Sequence, residues 1–150
     1  MNNRHAYVMM IHDKWWKKFQ QRLFQGQQTH AYVSFGRAPP KHASLIFFYV
    51  TKPVGELAGY AEFLERQIGI AEEMWKKHGR ESALDSNKQY EEFTKNKECV
   101  VFIRFESLYV TSKPIPLNNL LTTLHKQRLA RSGFYIGRET AETLIALMDR

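Results

Sequence analysis

The chain has 150 residues, 43% hydrophobic and 25% charged, with a formal net charge of +7; that suits one domain with a sizeable core better than two domains or a disordered tail. Its longest apolar run, SLIFFYV, falls far short of the roughly 20 residues that span a bilayer. Its single cysteine, Cys99, excludes a disulfide framework and a Cys-rich zinc site.

The opening MNNRHAYVMMIHDKWW reaches Asp13 and Lys14 too soon for a secretory signal and lacks a small-residue cleavage site, so the expected location is cytoplasmic. Within it, Ala6 to Ile11 reads as a strand. From Asp13 to Phe24, stepping about 100° per residue, Trp15, Trp16, Phe19 and Leu23 share one arc, and Lys14, Lys17, Lys18 and Arg22 lie opposite. The spacing predicts an amphipathic helix whose basic face either aids solubility or contacts phosphates. Gly26 supplies its left-handed stop.

The turn GQQTHAY then offers Gln28, Thr29, His30 and Tyr32 as donors and acceptors, suited to a base edge or small polar ligand, or to an ordinary polar turn. Strands are predicted at Ala31 to Phe35, Leu45 to Val50 and Leu57 to Phe63. Arg37 before Pro39-Pro40 and Lys52 before Pro53 stand beside rigid loops, where a cation loses less entropy on binding an anion. A helix from Ile70 to His78 follows, with Ile70, Met74 and Trp75 as its apolar face and Glu72–Lys76 and Glu73–Lys77 pairs. Ser86 and Gln89 form a capping-box pattern for a helix over Asn87 to Asn96. Cys99, opening the strand to Tyr109, is expected to be buried. A short helix around Leu117 to Leu124, a strand Gly133 to Ile136 and a helix Glu139 to Asp149 complete the chain; Ala141, Leu144, Ile145 and Met148 form the last helix's docking stripe.

The resulting order, β-α-β-β-β-α-α-β-α-β-α, has too many adjacent strands for a doubly wound parallel sheet. It predicts an α+β domain over residues 1–150: a mixed, mostly antiparallel β-barrel or sheet of about six strands with surrounding helices.

Charge is uneven along that order. Residues 1–55 carry 8 Lys/Arg against 1 acid, residues 56–98 carry 7 against 10, and residues 99–150 carry 7 against 4. A localised positive field attracts phosphates. From Lys113 to Arg138 there is no acid, and Lys126, Arg128 and Arg131 accompany Phe134 and Tyr135. Cations that hold phosphates beside aromatic faces that stack bases are the parts of a nucleic-acid site. Strand alternation admits only one of the two aromatics to a cleft, and Tyr135 is the better candidate because its hydroxyl needs a polar neighbour; core packing is the alternative for both. Were the first helix brought near this segment, Lys14, Lys18, Arg22, Arg128 and Arg131 would line one positive rim.

Catalytic signals are weaker. The six histidines show no HxH, HxxxH or His–carboxylate spacing, and no GxGxxG, Walker-type loop or GxSxG is present. No catalytic residue, metal ligand or cofactor is therefore assigned.

DKWWKKFQQRLFQGQQTHAY resembles the opening strand-to-helix region of ASCH and related PUA-like domains. FFYVTKPVGELAGYAEF resembles their next two strands, VFIRFESLYVTSKPIPL their long later strand with its Pro-Ile-Pro turn, and RSGFYIGRETAETL their last strand and helix. The resemblance covers nearly the whole chain and is closest to an archaeal PUA-like family without an assigned function. It implies a pseudo-barrel that binds RNA or a modified or unpaired base in a cleft beside the first helix. The ASCH signature has Gly, Lys two positions on, Glu three after that and Arg two later; here those positions read Gly26, Gln28, Ala31 and Val33. Some ASCH proteins are amidohydrolases on acetylated cytidine, using that Lys with a neighbouring Thr and a later Glu. Thr29 answers to the Thr, but without the Lys nothing is placed to act as base or to polarise a carbonyl.

The expected function is thus RNA or other nucleic-acid binding, leaning away from enzymatic activity. Lys14, Lys17, Lys18, Arg22, Arg37, Lys52, Arg128 and Arg131 are the expected phosphate contacts, and Gly26, Gln28, Thr29, His30, Tyr32 and Tyr135 the base-reading cleft. Two alternatives stand: an enzyme acting on a modified nucleobase or small amide through Thr29, His30, Tyr32 and Glu56 or Glu62, and a partner-binding or homo-oligomeric module whose basic surface only aids solubility.

Overall fold

Among the described residues, period-two burial along the strands and apolar stripes along the helices assemble one six-stranded mixed sheet that carries five α-helices. The computed structural model describes residues 3–149. In chain order these are β1 (Ala6–Ile11), α1 (Asp13–Phe24), β2 (Thr29–Ser34), β3 (Leu45–Val50), β4 (Glu56–Ile70), α2 (Ala71–His78), α3 (Asn87–Phe93), β5 (Cys99–Pro116), α4 (Leu117–Leu124), β6 (Phe134–Ile136) and α5 (Arg138–Asp149). The sequence predicts that order. Sheet order is β2-β5-β4-β3-β1-β6, with β1 and β3 parallel and every other neighbour antiparallel. β2 and β6 are its two edges, so backbone hydrogen bonds do not close the sheet into a full barrel.

β4 and β5 extend well past the predicted ends, to 15 and 18 residues. Their ladder shifts register at Leu57/Gly59, Tyr60/Glu62 and Phe63/Glu65. Each bulge bends the pair and increases its twist, and each also breaks the alternation by which a strand is recognised in sequence. Gly59 lies at the first irregularity; a Cβ there would sit 2.2 Å from the Tyr109 carbonyl oxygen and 3.0 Å from the Trp16 ring. Glycine thus allows α1 to approach β4.

Alternation sorts the core onto two faces. On one, Tyr7, Met9 and Ile11 of β1 meet Ile46, Phe48 and Val50 of β3 beneath Trp16 and Phe19 of α1. On the other, Ala6 and Val8 meet Phe47 and Tyr49 beneath Leu120 of α4 and Ala141, Leu144 and Met148 of α5. A third cluster joins Ala31 and Val33 of β2, Val100 and Phe102 of β5, Met74 of α2 and Tyr90 of α3. Phe19 is fully buried, its ring centroid 5.3 Å from that of Phe105. Removing such an aromatic costs about 3–5 kcal/mol.

The predicted boundaries have the expected chemistry. Gly26 has φ +95°, and its N–H donates to the Leu23 carbonyl at 3.0 Å, closing α1. The Gln89 N–H donates to Ser86 Oγ at 3.2 Å, while Gln89 Oε1 accepts from the Asp85 N–H at 2.7 Å, one residue before the cap. Cys99 corrects an expectation: it is exposed. As the first residue of β5 it pairs with Ile70, the last of β4, which is itself 54% exposed. Among the described residues no helix is long and apolar enough to cross a membrane.

Candidate nucleic-acid interface

A cavity of about 620 Å³ opens on the α4 side of the sheet. Met10, Tyr49, Leu117, Leu121 and Leu129 line its apolar floor, and Lys52, Arg128 and Arg131 its basic rim. Local geometry presents the two arginines. His125, at φ +56°, turns the chain out of α4, and the Lys126 N–H donates to the Leu121 carbonyl at 3.0 Å. At the far end of the loop the Gly133 N–H donates to the Ala130 carbonyl at 3.1 Å, and the Tyr7 hydroxyl donates to the Ser132 carbonyl. Lys52 arrives from the turn after β3, where the Thr51 N–H donates to the Ile11 carbonyl at 3.0 Å. Among the described residues, none of these three cations makes an ion pair. Burial pushes the Tyr49 phenol up.

The basic face of α1 is differently occupied. Lys18 Nζ lies 2.7 Å from Asp85 Oδ2 and Arg22 Nη2 lies 2.8 Å from Asp85 Oδ1. Lys17 Nζ pairs with Asp13 at 3.0 Å, and Lys14 Nζ stands 4.7 Å over the Trp15 ring. The hydrogen bond from Lys18, then the attraction of Lys18 and Arg22, holds the Asp85 carboxyl below the usual carboxylate range. The predicted single rim is therefore corrected. α1 packs on the Phe48–Phe105 face and the Arg128–Arg131 loop on the Phe47–Tyr49 face, so the sheet separates the two cationic groups. Arg37 is exposed on the β2–β3 loop, where its carbonyl accepts from Arg66 Nη1 at 3.2 Å.

The predicted base-reading turn is largely structural. His30 is fully buried, stacked on Phe105 at 5.5 Å, with Phe19 edge-on at 5.7 Å. Its Nδ1 lies 3.4 Å from Gln27 Nε2, and its Nε2 has no hydrogen-bond partner. Burial lowers its pKa, and a neutral ring enclosed between two phenyls cannot read a base. Tyr32 is half-buried beside a void of about 20 Å³, room for little more than a water. Gln28 is exposed and Thr29 partly so at the edge strand β2. Tyr135 and Phe134 do take opposite faces: Tyr135 packs on the α1-side core, 4.9 Å from the Tyr7 ring, and Phe134 on the α5-side core under Lys126 Nζ at 3.8 Å.

A polar ring that sequence reasoning missed lies on the β4–β5 ladder. Arg104 Nε and Nη2 donate to the two Glu81 carboxylate oxygens at 2.7 and 3.0 Å, and Nη1 to Glu65 Oε2 at 2.8 Å. Gln67 Nε2 donates to Glu65, and His78 Nε2 lies 3.2 Å from Gln67 Oε1. His78 Nδ1 stands 3.3 Å from Glu81 Oε1 but makes no hydrogen bond among the described residues, so the chain of bonds ends at this imidazole. The Glu81 hydrogen bonds raise the Arg104 pKa, and the hydrogen bond from Gln67 is the largest cause holding Glu65 low. Alternation would have set Glu65 and Gln67 on one face had β4 been recognised beyond Phe63. Among the described residues no group of three or more His, Cys, Asp or Glu is arranged to hold a metal ion.

No protein-family model matches the sequence. An "ASCH domain-containing ribonuclease" of Zymomonas mobilis subsp. mobilis is 25% identical over 138 residues, 90% of this chain and 89% of that protein. The crystal structure of an ASCH protein from Zymomonas mobilis superposes with a TM-score of 0.74 at 21% identity, covering 97% of this chain and 96% of that one. A substituted form of the same protein gives 0.74 at 18% identity over 98% and 99%.

Proposed function

We propose, on the premise that this chain is an ASCH-type member of the PUA-like fold class, that it binds single-stranded or locally unpaired RNA in the cavity beside α4. The observation that carries this reading is the rim of Lys52, Arg128 and Arg131, three cations without ion-pair partners among the described residues, over an apolar floor. An unpaired base has an apolar face to bury and a phosphate one bond away from its sugar, so it matches a floor and rim of this kind. The volume lies within the range of sites that take ligands of nucleotide size. The relative's name, a ribonuclease, agrees with RNA as the ligand class. Lys14 and Arg37 then add long-range attraction rather than contact, while Lys17 is offset by Asp13.

Hydrogen-exchange mass spectrometry with a short single-stranded RNA tests the assignment. Slowed exchange in residues 51–55 and 125–133, without change in 13–24, is the expected result. Protection confined to α1 contradicts it.

The polar ring favours a second reading, cleavage of a strand that crosses the far end of the β4–β5 ladder rather than one seated in the α4 cavity: His78, Glu65, Glu81 and Arg104 together contain a base, an acid and a cation for a phosphate. Incubating end-labelled RNA with the protein and with H78A and E81Q variants separates the two. Shortened RNA that is lost with either variant supports cleavage, and intact RNA supports binding alone.

A further inference from the structure

On the other side of β6 lies a second concavity, of about 470 Å³, lined by Arg4, Lys41, His42, Ala43, Ser44 and Tyr135. Among the described residues its lining contains two permanent cations and a histidine but no carboxylate. Lys41, His42 and Ser44 are exposed, and among the described residues the Lys41 ammonium, the His42 ring and the Ser44 hydroxyl have no intramolecular partner.

Their backbone, by contrast, is fixed. The Ser44 N–H donates to the His5 carbonyl at 2.8 Å, and the Ser44 carbonyl accepts from the Phe63 N–H at 3.1 Å. The Lys41 N–H donates to Tyr135 Oη at 3.2 Å. That oxygen already accepts a hydrogen bond, so its own O–H is available to donate into the cavity. The Tyr135 ring is not available for stacking: the Arg4 guanidinium stands 4.7 Å over it and Tyr7 meets it at 69°. Recognition here is thus by donors and charge rather than by a flat face.

We propose that this cavity binds a phosphomonoester. The phosphate is held by the Lys41 ammonium, the His42 ring and the Ser44 and Tyr135 hydroxyls, with room beside it for a group of nucleoside size. A terminal phosphate carries up to two charges and three acceptor oxygens, which matches a set composed of donors and cations. An internal phosphodiester has one charge and no free end, and fits the set less well. The site is separate from the α4 cavity: Tyr135 packs on the α1-side face of the sheet, whereas Tyr49 and Leu117 pack on the other. It does not require the RNA reading to hold. The phosphomonoester is either a free nucleotide or the phosphorylated end of a chain.

Isothermal titration calorimetry on the full chain with adenosine, AMP, and a short oligoribonucleotide with and without a 5′-phosphate decides the matter. AMP should bind and adenosine should not. A K41A/H42A double variant should weaken AMP at least about tenfold, while a K52A/R128A variant retains it. Y135F, which keeps the ring but removes the donor, should weaken it by a smaller factor. With the α4 cavity disabled by K52A/R128A, AMP binding assigns a free nucleotide, and binding of the 5′-phosphorylated oligonucleotide without AMP or the unphosphorylated strand assigns a chain end. Equal binding of AMP and adenosine, no binding of any phosphorylated probe, or a folded K41A/H42A protein that binds as the parent does overturns the proposal. Loss of RNA affinity in K52A/R128A bears on the α4 cavity alone.

Discussion

Asp85→Asn separates the two cationic groups of this protein. Asp85 accepts from Lys18 at 2.7 Å and from Arg22 at 2.8 Å, and its side chain is 53% exposed. An exposed pair of this kind is worth about 0.2–1 kcal/mol, screened by salt. Losing two that share one carboxylate should cost about 1 kcal/mol, since the amide keeps the shape and one acceptor. For a chain of this length that is a fall in Tm of about 3 °C. The sign with pH follows from the depressed Asp85 pKa. The contribution is present above the ordinary carboxylate value and is lost as pH falls through the folded one, so parent and variant should converge in acid. The same change frees two cations on α1. Because the sheet separates these cations from the α4 cavity, the salt slope of single-stranded RNA binding should change by less than the roughly 0.7 that one neutralised phosphate contributes. Differential scanning calorimetry and RNA anisotropy across a salt series read both quantities. An unchanged Tm would refute the first part, because it would mean that Asp85 does not hold these cations, and a slope steeper by about 1.4 would refute the second, because it would place phosphates on α1.

Gly59→Ala should destabilise by at least about 2 kcal/mol, because the added methyl meets the Tyr109 backbone and the Trp16 ring; chemical denaturation measures it. Ser86→Ala should cost about 1 kcal/mol through loss of the α3 cap, seen as a lower denaturation midpoint with an unchanged slope. His30 titrates below its ordinary value because burial penalises its charged form. The unfolded chain therefore takes up the proton first, and stability falls as pH drops below about 6.5, by at most about 1.4 kcal/mol per pH unit. His30→Leu should flatten that part of the Tm-against-pH curve, and an equally steep curve would count against the burial of a neutral imidazole.

Much of the fold was legible in sequence because it rests on local signals. The Trp16–Phe19 stripe, the Gly26 stop and the Ser86–Gln89 box each lie within a few residues, and each defines a boundary that the structure shares. The far half of β4 was not legible because the last register shift falls at Phe63/Glu65, where the predicted strand ends, and the polar run Glu65-Arg66-Gln67 follows it. The partners of the α1 cations were hidden for another reason: Asp85 lies 67 residues from Lys18 and 63 from Arg22, and only packing brings them together. His30 reads as a polar turn residue until the β2–β5 register sets it opposite Phe105. Lys52, Arg128 and Arg131 were selected by a proline and by an acid-free stretch, but their convergence depends on the parallel β1–β3 pairing and on the turn at His125.

The most direct test of the α4 cavity is the salt dependence of RNA binding in the Lys52→Ala, Arg128→Ala, Arg131→Ala triple variant. Three phosphate contacts on a single strand contribute roughly 2 to the slope of log K against log salt. Loss of that amount in a variant with the parent's Tm is the result expected. A folded triple variant with the parent's affinity and slope would contradict the account and move the RNA elsewhere on the protein.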